Sequence, residues 1–116
     1  CPQLGVGKGS FYEREFYPVE EPMDEDCLYL NVWTPAQEEG EKLPVIFWVH
    51  GGAFMTGYGH SAHFDGEPFA RQGVILVTIN YRLNIFAWMT HPQLSAESEN
   101  HVSGNYGLLD QVAALE

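Results

Sequence analysis

The chain has 116 residues, 45% of them hydrophobic and 14% aromatic, which is enough apolar material for the core of one small domain. Sixteen acidic and five basic residues give a formal net charge of −11, which argues against nucleic acid or an anionic membrane surface as a partner. Part of this charge lies in short runs, at residues 20–21 and 38–41, that are typical of solvated surface. No apolar run approaches the roughly 20 residues of a membrane span, so none is predicted.

The first half of the chain predicts two strands. Residues 1–22 are rich in Gly, Pro and Glu and predict an irregular lead-in. Residues 28–33 predict a strand, and residues 35–42 an acidic exposed turn. The continuous apolar run at residues 45–49 indicates a central strand of a parallel sheet, covered on both faces.

The second half predicts a helix, a strand and a final helix. Residues 65–68, Asp-Gly-Glu-Pro, favour a helix start with Asp as the cap, and Gly73 is a plausible stop. Residues 74–79 form another apolar run, so two strands and a crossover with a short helix predict a βαβ unit with parallel pairing. From residue 108 an apolar stripe at spacings of three and four predicts a helix that continues to the chain end.

The turn after residues 45–49 is the strongest local pointer to chemistry. His50, Gly51 and Gly52 follow the strand directly, and glycines let the backbone bend sharply and come close to a ligand. At the carboxyl end of a buried strand, such a turn can present backbone N–H groups to the oxyanion of a tetrahedral intermediate. An ordinary strand-to-loop turn is the alternative, because short motifs often match by chance.

Three further blocks extend this pattern. They are Glu-Asp-Cys-Leu-Tyr-Leu-Asn-Val-Trp-Thr-Pro at residues 25–35, Asn-Tyr-Arg-Leu at residues 80–83 and Gly-Asn-Tyr-Gly-Leu-Leu-Asp-Gln at residues 104–111. With the glycine turn, their order and spacing resemble the type-B carboxylesterase family of para-nitrobenzyl-type esterases, animal carboxylesterases and cholinesterases. The resemblance implies an α/β fold: residues 1–116 as the truncated N-terminal part of a single α/β-hydrolase domain, with a mostly parallel sheet and flanking helices.

The resemblance also implies roles for the turn in a serine carboxylic-ester hydrolase that needs no metal or organic cofactor. The Gly52 and Ala53 N–H groups would bind the oxyanion of a small-molecule ester, and Phe54 would line the substrate pocket. His50 could be a base, yet a catalytic base must face a nucleophile and have an orienting acid behind it. Because the family's base comes from near its C-terminus, His50 and Gly51 are assigned to loop support.

No nucleophile is recognised in the chain itself. The family's serine lies in a Gly-x-Ser-x-Gly elbow, which this sequence lacks, so the triad is expected beyond the chain end. The segment around Ser61 is the most similar to this elbow. No strand precedes Ser61, however, and His63 replaces the second glycine, so Ser61 is predicted to be a loop serine. The 116-residue chain alone is therefore expected to be inactive. The alternative function is a catalytically inactive, esterase-like module for adhesion or partner binding.

Two residue pairs are predicted to be structural. The resembling family pairs an arginine and an aspartate at the positions of Arg82 and Asp110, which suits a bidentate ion pair. Secreted members join cysteines at the positions of Cys1 and Cys27, whereas a reducing cytosol would leave both as thiols. The disulfide, the compartment and the oligomeric state stay open.

The remaining histidines give weak signals. His60, His63 and Asp65 could ligate zinc, but no further ligand motif accompanies them, so no metal site is predicted. His91 and His101 are interpreted as loop residues.

Overall fold

The computed structural model describes residues 1–5, 7, 9–16 and 22–116; the predicted acidic run at residues 20–21 lies outside this part. Over the described residues, no helix has both the length and the apolar content that crossing a membrane requires. The elements in chain order are α1 (Phe11–Glu15), β1 (Leu30–Trp33), β2 (Val45–Val49), a short 3-10 helix (Ala62–Phe64), α2 (Glu67–Ala70), β3 (Ile75–Ile79), α3 (Asn84–Trp88), α4 (Pro92–Glu97) and α5 (Tyr106–Ala113).

The three strands form one sheet in the order β1-β3-β2. β2 and β3 are parallel, in register from Val45 opposite Ile75 to Val49 opposite Ile79. The crossover between them carries α2, so the predicted βαβ unit is confirmed. β1 pairs with the other side of β3 in the antiparallel sense, which makes the described sheet mixed.

The middle strand of this sheet is β3, and the prediction of a central, covered β2 is wrong for the described residues. β2 pairs on one side only, and four of its five residues are exposed, from 36% at Val49 to 59% at Val45, while Phe47 is partly buried. β3 instead buries Leu76, Thr78 and Ile79. Both strands are continuous apolar runs, and such a run predicts burial without saying which strand has two neighbours.

Other elements differ from the sequence analysis at their ends or in number. α1 lies in the predicted lead-in, where the Ser10 hydroxyl accepts a hydrogen bond from the Glu13 N–H at 3.1 Å, the Ser-x-x-Glu pattern of a helix start. β1 begins at Leu30, two residues later than predicted, and α5 ends at Ala113. α3 and α4 were not predicted from the sequence, although Pro92 at the start of α4 is a recognised helix-start signal.

The core lies where the end of β3 meets α5. Ile79, Tyr81 and Leu83 are each at most 2% exposed and form one cluster. Gly107 allows α5 to approach this cluster, because a Cβ there would lie 2.8 Å from the carbonyl oxygen of Arg82. The segment after β3 is thus packed on both the helix and the sheet.

Candidate active site

Residues 50–57, here named the glycine turn, follow β2 in a conformation that favours glycine. Gly52 has a φ of +123°, and the next two residues, Ala53 and Phe54, also have positive φ values of 53° and 63°. A Cβ at Gly52 would lie 1.8 Å from the carbonyl oxygen of Thr56. Only glycine fits that position, because both the backbone angle and the neighbouring carbonyl exclude a side chain.

The carbonyl groups at the start of the glycine turn are held inside it. The Gly52 oxygen accepts two backbone N–H groups from later in the turn, at 3.0 and 3.1 Å. The Gly51 oxygen lies 2.8 Å from Nδ1 of His50. Since C=O and N–H point in opposite directions across a trans peptide, the N–H groups of Ala53 and Gly52 point away from these partners. Within the described part of the chain, neither N–H donates a hydrogen bond.

His50 is buried beneath the glycine turn. Its ring stacks on Tyr81 with centroids 4.5 Å apart, and the Tyr81 hydroxyl donates to the His50 carbonyl at 3.0 Å. Because a carbonyl only accepts, Nδ1 carries the proton, while Nε2 is buried without a partner among the described residues. Burial lowers the pKa of His50, against the opposing effect of the Gly51 carbonyl. A neutral imidazole fixed in this way suits the predicted loop support.

The segment after β3 makes hydrogen bonds to the glycine turn through Asn84. The Asn84 N–H donates to the carbonyl of Phe54 at 3.0 Å, and its side-chain amide donates to that of Met55 at 2.9 Å. Asn84 has a φ of +55°, a value that asparagine tolerates better than most residues. The carbonyls of Gly51, Gly52, Phe54 and Met55 therefore have partners, whereas the N–H groups of Gly52 and Ala53 have none among the described residues.

Two clefts adjoin the glycine turn. The first, of about 500 Å³, begins at Ala53, and Phe54 stands 53% exposed in its wall with its ring edge against Trp88, centroids 4.8 Å apart. Its other lining residues are Met55, Asn84, Ile85 and Met89. The second, of about 510 Å³, lies where His50 and Gly51 meet Phe64.

The structure brings Arg82 and Asp110 together. Nη2 of Arg82 lies 2.7 Å from Oδ1 of Asp110, and Nε lies 2.9 Å from Oδ2, the two parallel bonds of a bidentate pair. The Arg82 backbone N–H also donates to Oδ2 at 2.9 Å. The hydrogen bonds to Asp110 raise the pKa of Arg82. This pair lies on the α5 side of the core and joins the end of β3 to that helix.

The structure also joins Cys1 and Cys27 in a disulfide, with their Cα atoms 4.9 Å apart. The bond fixes the start of the chain beside the sheet, and from there the Gln3 side chain reaches Gly57 of the glycine turn. The sequence gives no signal for Gln3, because a contact between residues 54 positions apart leaves no local pattern.

The other candidate residues make local contacts. Ser61 has relaxed backbone angles at the start of the 3-10 helix, and its hydroxyl lies 3.0 Å from Nδ1 of His63, a contact within one turn. His60 packs its ring on Tyr58 with centroids 4.5 Å apart, and Asp65 accepts a hydrogen bond at the start of α2. Over the described residues, no group of three His, Cys, Asp or Glu side chains could hold a metal ion. His91 caps α4, and His101 lies in a turn.

The mixed sheet with its crossover and glycine turn is part of an α/β-hydrolase fold, as solved esterases show. The chain superimposes with a TM-score of 0.80 on an esterase from Clostridium hathewayi described as able to hydrolyse aliphatic aromatic polyesters, at 38% identity over 99% of this chain and 23% of that one. A carboxylesterase of Geobacillus stearothermophilus matches with a TM-score of 0.72 and 50% identity, covering 85% of this chain and 20% of that one.

The chain belongs to the carboxylesterase family, whose sequence model matches residues 1–116. Over 92 residues it is 53% identical to the fumonisin B1 esterase of Sphingopyxis macrogoltabida, covering 79% of this chain and 17% of that protein. It is 50% identical to the para-nitrobenzyl esterase of Bacillus subtilis over 79% of this chain and 18% of that protein. The chain thus spans about a fifth of the length of these relatives. The resemblance to the carboxylesterases is confirmed.

Proposed function

We propose that this chain supplies the oxyanion-binding turn of a serine carboxylic-ester hydrolase. The observation that supports the proposal most directly is that the Gly52 and Ala53 N–H groups donate to no described residue, while bonds to the carbonyls of Gly51 and Gly52 set their peptide planes. Membership of the carboxylesterase family supports the same reaction.

In this proposal, a serine elsewhere in the complete protein attacks the ester carbonyl. Its proton passes to a histidine base, and the carbonyl oxygen becomes an oxyanion in the tetrahedral intermediate. The Gly52 and Ala53 N–H groups, with the N–H that follows the serine, donate to that oxygen. Because the glycine turn is already oriented, the donors need no rearrangement as the charge develops.

The cleft beside Ala53 indicates the kind of ester. Its walls are mainly side chains without charge, with Phe54 and Met55 from the turn and Trp88 from α3. Burying an apolar acyl or alcohol group there is favourable by about 25 cal/mol for each Å² removed from water. We therefore expect esters with an alkyl or aryl group to be preferred over small charged ones.

The test uses the complete protein that contains this chain. It should hydrolyse para-nitrophenyl butyrate with an initial burst, the kinetic sign of an acyl-enzyme, and an aryl trifluoromethyl ketone should inhibit it as a mimic of the tetrahedral intermediate. A folded complete protein that gives neither result would contradict the proposal and favour the inactive adhesion or binding module.

The 116-residue chain expressed alone provides the second arm. We expect no turnover, because the proposal assigns it donors for the oxyanion and neither nucleophile nor base. Turnover that disappears in Ser61→Ala would instead identify Ser61 as a nucleophile paired with His63. The same substitution in the complete protein should leave kcat unchanged.

A further inference from the structure

We propose that Gln3 is a positioning residue for the glycine turn, and that the Cys1–Cys27 disulfide keeps Gln3 in place. This inference rests on the proposed esterase function, since it concerns the same N–H donors. It adds a connection between the start of the chain and the direction in which those donors point.

The Gln3 side chain clasps a single residue of the turn. Its Oε1 accepts the Gly57 N–H at 2.7 Å, and its Nε2 donates to the Gly57 carbonyl at 3.0 Å. One side-chain amide therefore satisfies both backbone groups of a buried residue. No other amino acid of this length offers a donor and an acceptor side by side at neutral pH.

Gly57 in turn lies against the atoms that orient Gly52. A Cβ at Gly57 would lie 2.4 Å from Nδ1 of His50 and 2.5 Å from the carbonyl oxygen of Gly51. Those two atoms form the hydrogen bond that sets the peptide plane of the Gly52 N–H. A shift of Gly57 would therefore be transmitted to that bond, because the backbone of Gly57 packs on both of its partners.

The disulfide holds the other end of this connection. Cys1 is two residues from Gln3, and Cys27 is 6% exposed beside the sheet. The Cys27 carbonyl also accepts the Asn80 side-chain amide at 3.0 Å, while the Asn80 oxygen accepts the Gly59 N–H at 2.8 Å. Two amide side chains thus connect the Cys27 region to the last residues of the turn and to those just beyond it.

The first experiment compares Gln3→Met with Gln93→Met in the complete protein. Gln93 is an exposed residue of α4, so it controls for the loss of a glutamine. We expect Gln3→Met to lower kcat about tenfold, because a displacement well under 1 Å should cost less than the roughly hundredfold effect of a 1 Å displacement. KM should change little, and affinity for the trifluoromethyl ketone should fall in parallel with kcat. Gln93→Met should match the wild type.

Gln3→Glu offers a pH-dependent rescue. A protonated carboxyl group can accept from the Gly57 N–H and donate to its carbonyl, whereas a carboxylate can only accept. The ratio of the variant's kcat to that of the wild type should therefore rise as the pH falls toward the carboxyl pKa of about 4.3. A ratio that does not change with pH would contradict the role of the two hydrogen bonds between side chain 3 and the Gly57 backbone.

The disulfide is tested by a Cys1→Ser, Cys27→Ser double variant, alone and combined with Gln3→Met. If the disulfide acts through Gln3, the combined loss in kcat should be no greater than the larger single loss. If the kcat losses of the disulfide variant and of Gln3→Met multiply in the combined variant, the disulfide does not act through Gln3. Thermal unfolding of each variant identifies any loss that comes from unfolded protein.

The outcomes separate this inference from the proposed function. An active wild type with unchanged kcat and ketone affinity in Gln3→Met would overturn the inference and leave the esterase function intact. If the wild type is inactive, amide exchange decides instead. Faster exchange at Gly57, Met55 and Thr56 in Gln3→Met would support the clasp, and unchanged exchange would overturn it.

Discussion

The segments that leave β2 and β3 lie side by side and use their polar groups in opposite ways. In the glycine turn after β2, carbonyls have partners and the N–H groups of Gly52 and Ala53 have none among the described residues. In residues 80–84 after β3, the side chains themselves are partners: Tyr81 donates to His50, and Arg82 pairs with Asp110. One segment presents donors, and the other holds it in place.

The difference follows from composition. Glycines bring backbone atoms close to a ligand but contribute no side chain that could stabilise the turn. The neighbouring strand supplies what is missing, since its exit segment is rich in amide, phenol and guanidinium groups. If this division is correct, substitutions that move the N–H groups of Gly52 and Ala53 should change turnover, and substitutions in residues 80–84 should change stability.

The largest expected effect is that of Gly52→Ala. Its Cβ would meet the Thr56 carbonyl oxygen at 1.8 Å, so the donors must move, and kcat in the complete protein should fall by about 10²–10³-fold. Gly40→Ala is the matched control, because its φ of +88° is equally unfavourable but no atom lies within 4 Å. Steady-state kinetics should show normal kcat for that control. Equal kcat for Gly52→Ala and the wild type would contradict the assignment of the donors to the glycine turn.

Arg82→Met should destabilise the complete protein by about 3 kcal/mol with kcat per folded molecule unchanged, because it leaves a buried carboxylate without its cation. The Asp110 side chain is 5% exposed and that of Arg82 is 37% exposed, so Asp110→Ala should have a smaller effect, with the guanidinium reaching water. Urea unfolding measures both.

The exposed pair of Arg71 and Glu67 provides the control for the buried one. Their side chains are 76% and 59% exposed, so Glu67→Ala should change stability by about 0.5 kcal/mol or less. Lost turnover in Arg82→Met without lost stability would assign Arg82 to catalysis and contradict the comparison.

His50 should make the stability of the complete protein depend on pH. Burial lowers its pKa from the ordinary value of 6.5, so the unfolded chain binds the proton more readily than the folded one. The unfolding free energy should therefore fall as the pH drops below 6.5, by at most about 1.4 kcal/mol per pH unit for one proton. His50→Gln should remove this contribution, whereas the exposed His101→Asn should retain it.

The smallest expected effect is that of Ala53→Gly. Glycine relieves the positive φ at this position, a gain of about 1 kcal/mol that its greater unfolded-state freedom nearly offsets. Stability should therefore change by less than about 1 kcal/mol, and kcat should stay within about twofold because the donor is backbone. Ala113→Gly in α5, where the backbone is helical, should cost about 1 kcal/mol in the same unfolding assay.

The sequence predicted those features that depend on local pattern. Continuous apolar runs located β2 and β3 within one residue, and the short helix predicted in the crossover between them indicated their parallel pairing. The glycines after β2 predicted a sharp turn, because few other residues permit its backbone angles. The pairing of Arg82 with Asp110 came from the family resemblance, since no periodicity relates residues 28 positions apart.

The sequence did not predict the features that depend on which distant segments become neighbours in the fold. Nothing in the run at residues 45–49 distinguishes an edge strand from a middle one, and β3 is the middle strand. Gln3 sits in an unremarkable Cys-Pro-Gln stretch whose partner is 54 residues away. α1 was missed for another reason, as Ser10 and Glu13 do show a local helix-start pattern.

The peptide planes of the glycine turn have a consequence for how such a protein could diversify. Its proposed donors are main-chain groups, whereas the cleft wall beside them is made of side chains such as Phe54 and Met55. Exchanging those side chains would reshape the space for a substrate without removing any donor, provided that the new residue accepts the local backbone angles. In this turn the side chains would determine which substrates fit, and the main chain would stabilise the oxyanion. Substrate selectivity could therefore change while the catalytic donors stay in place.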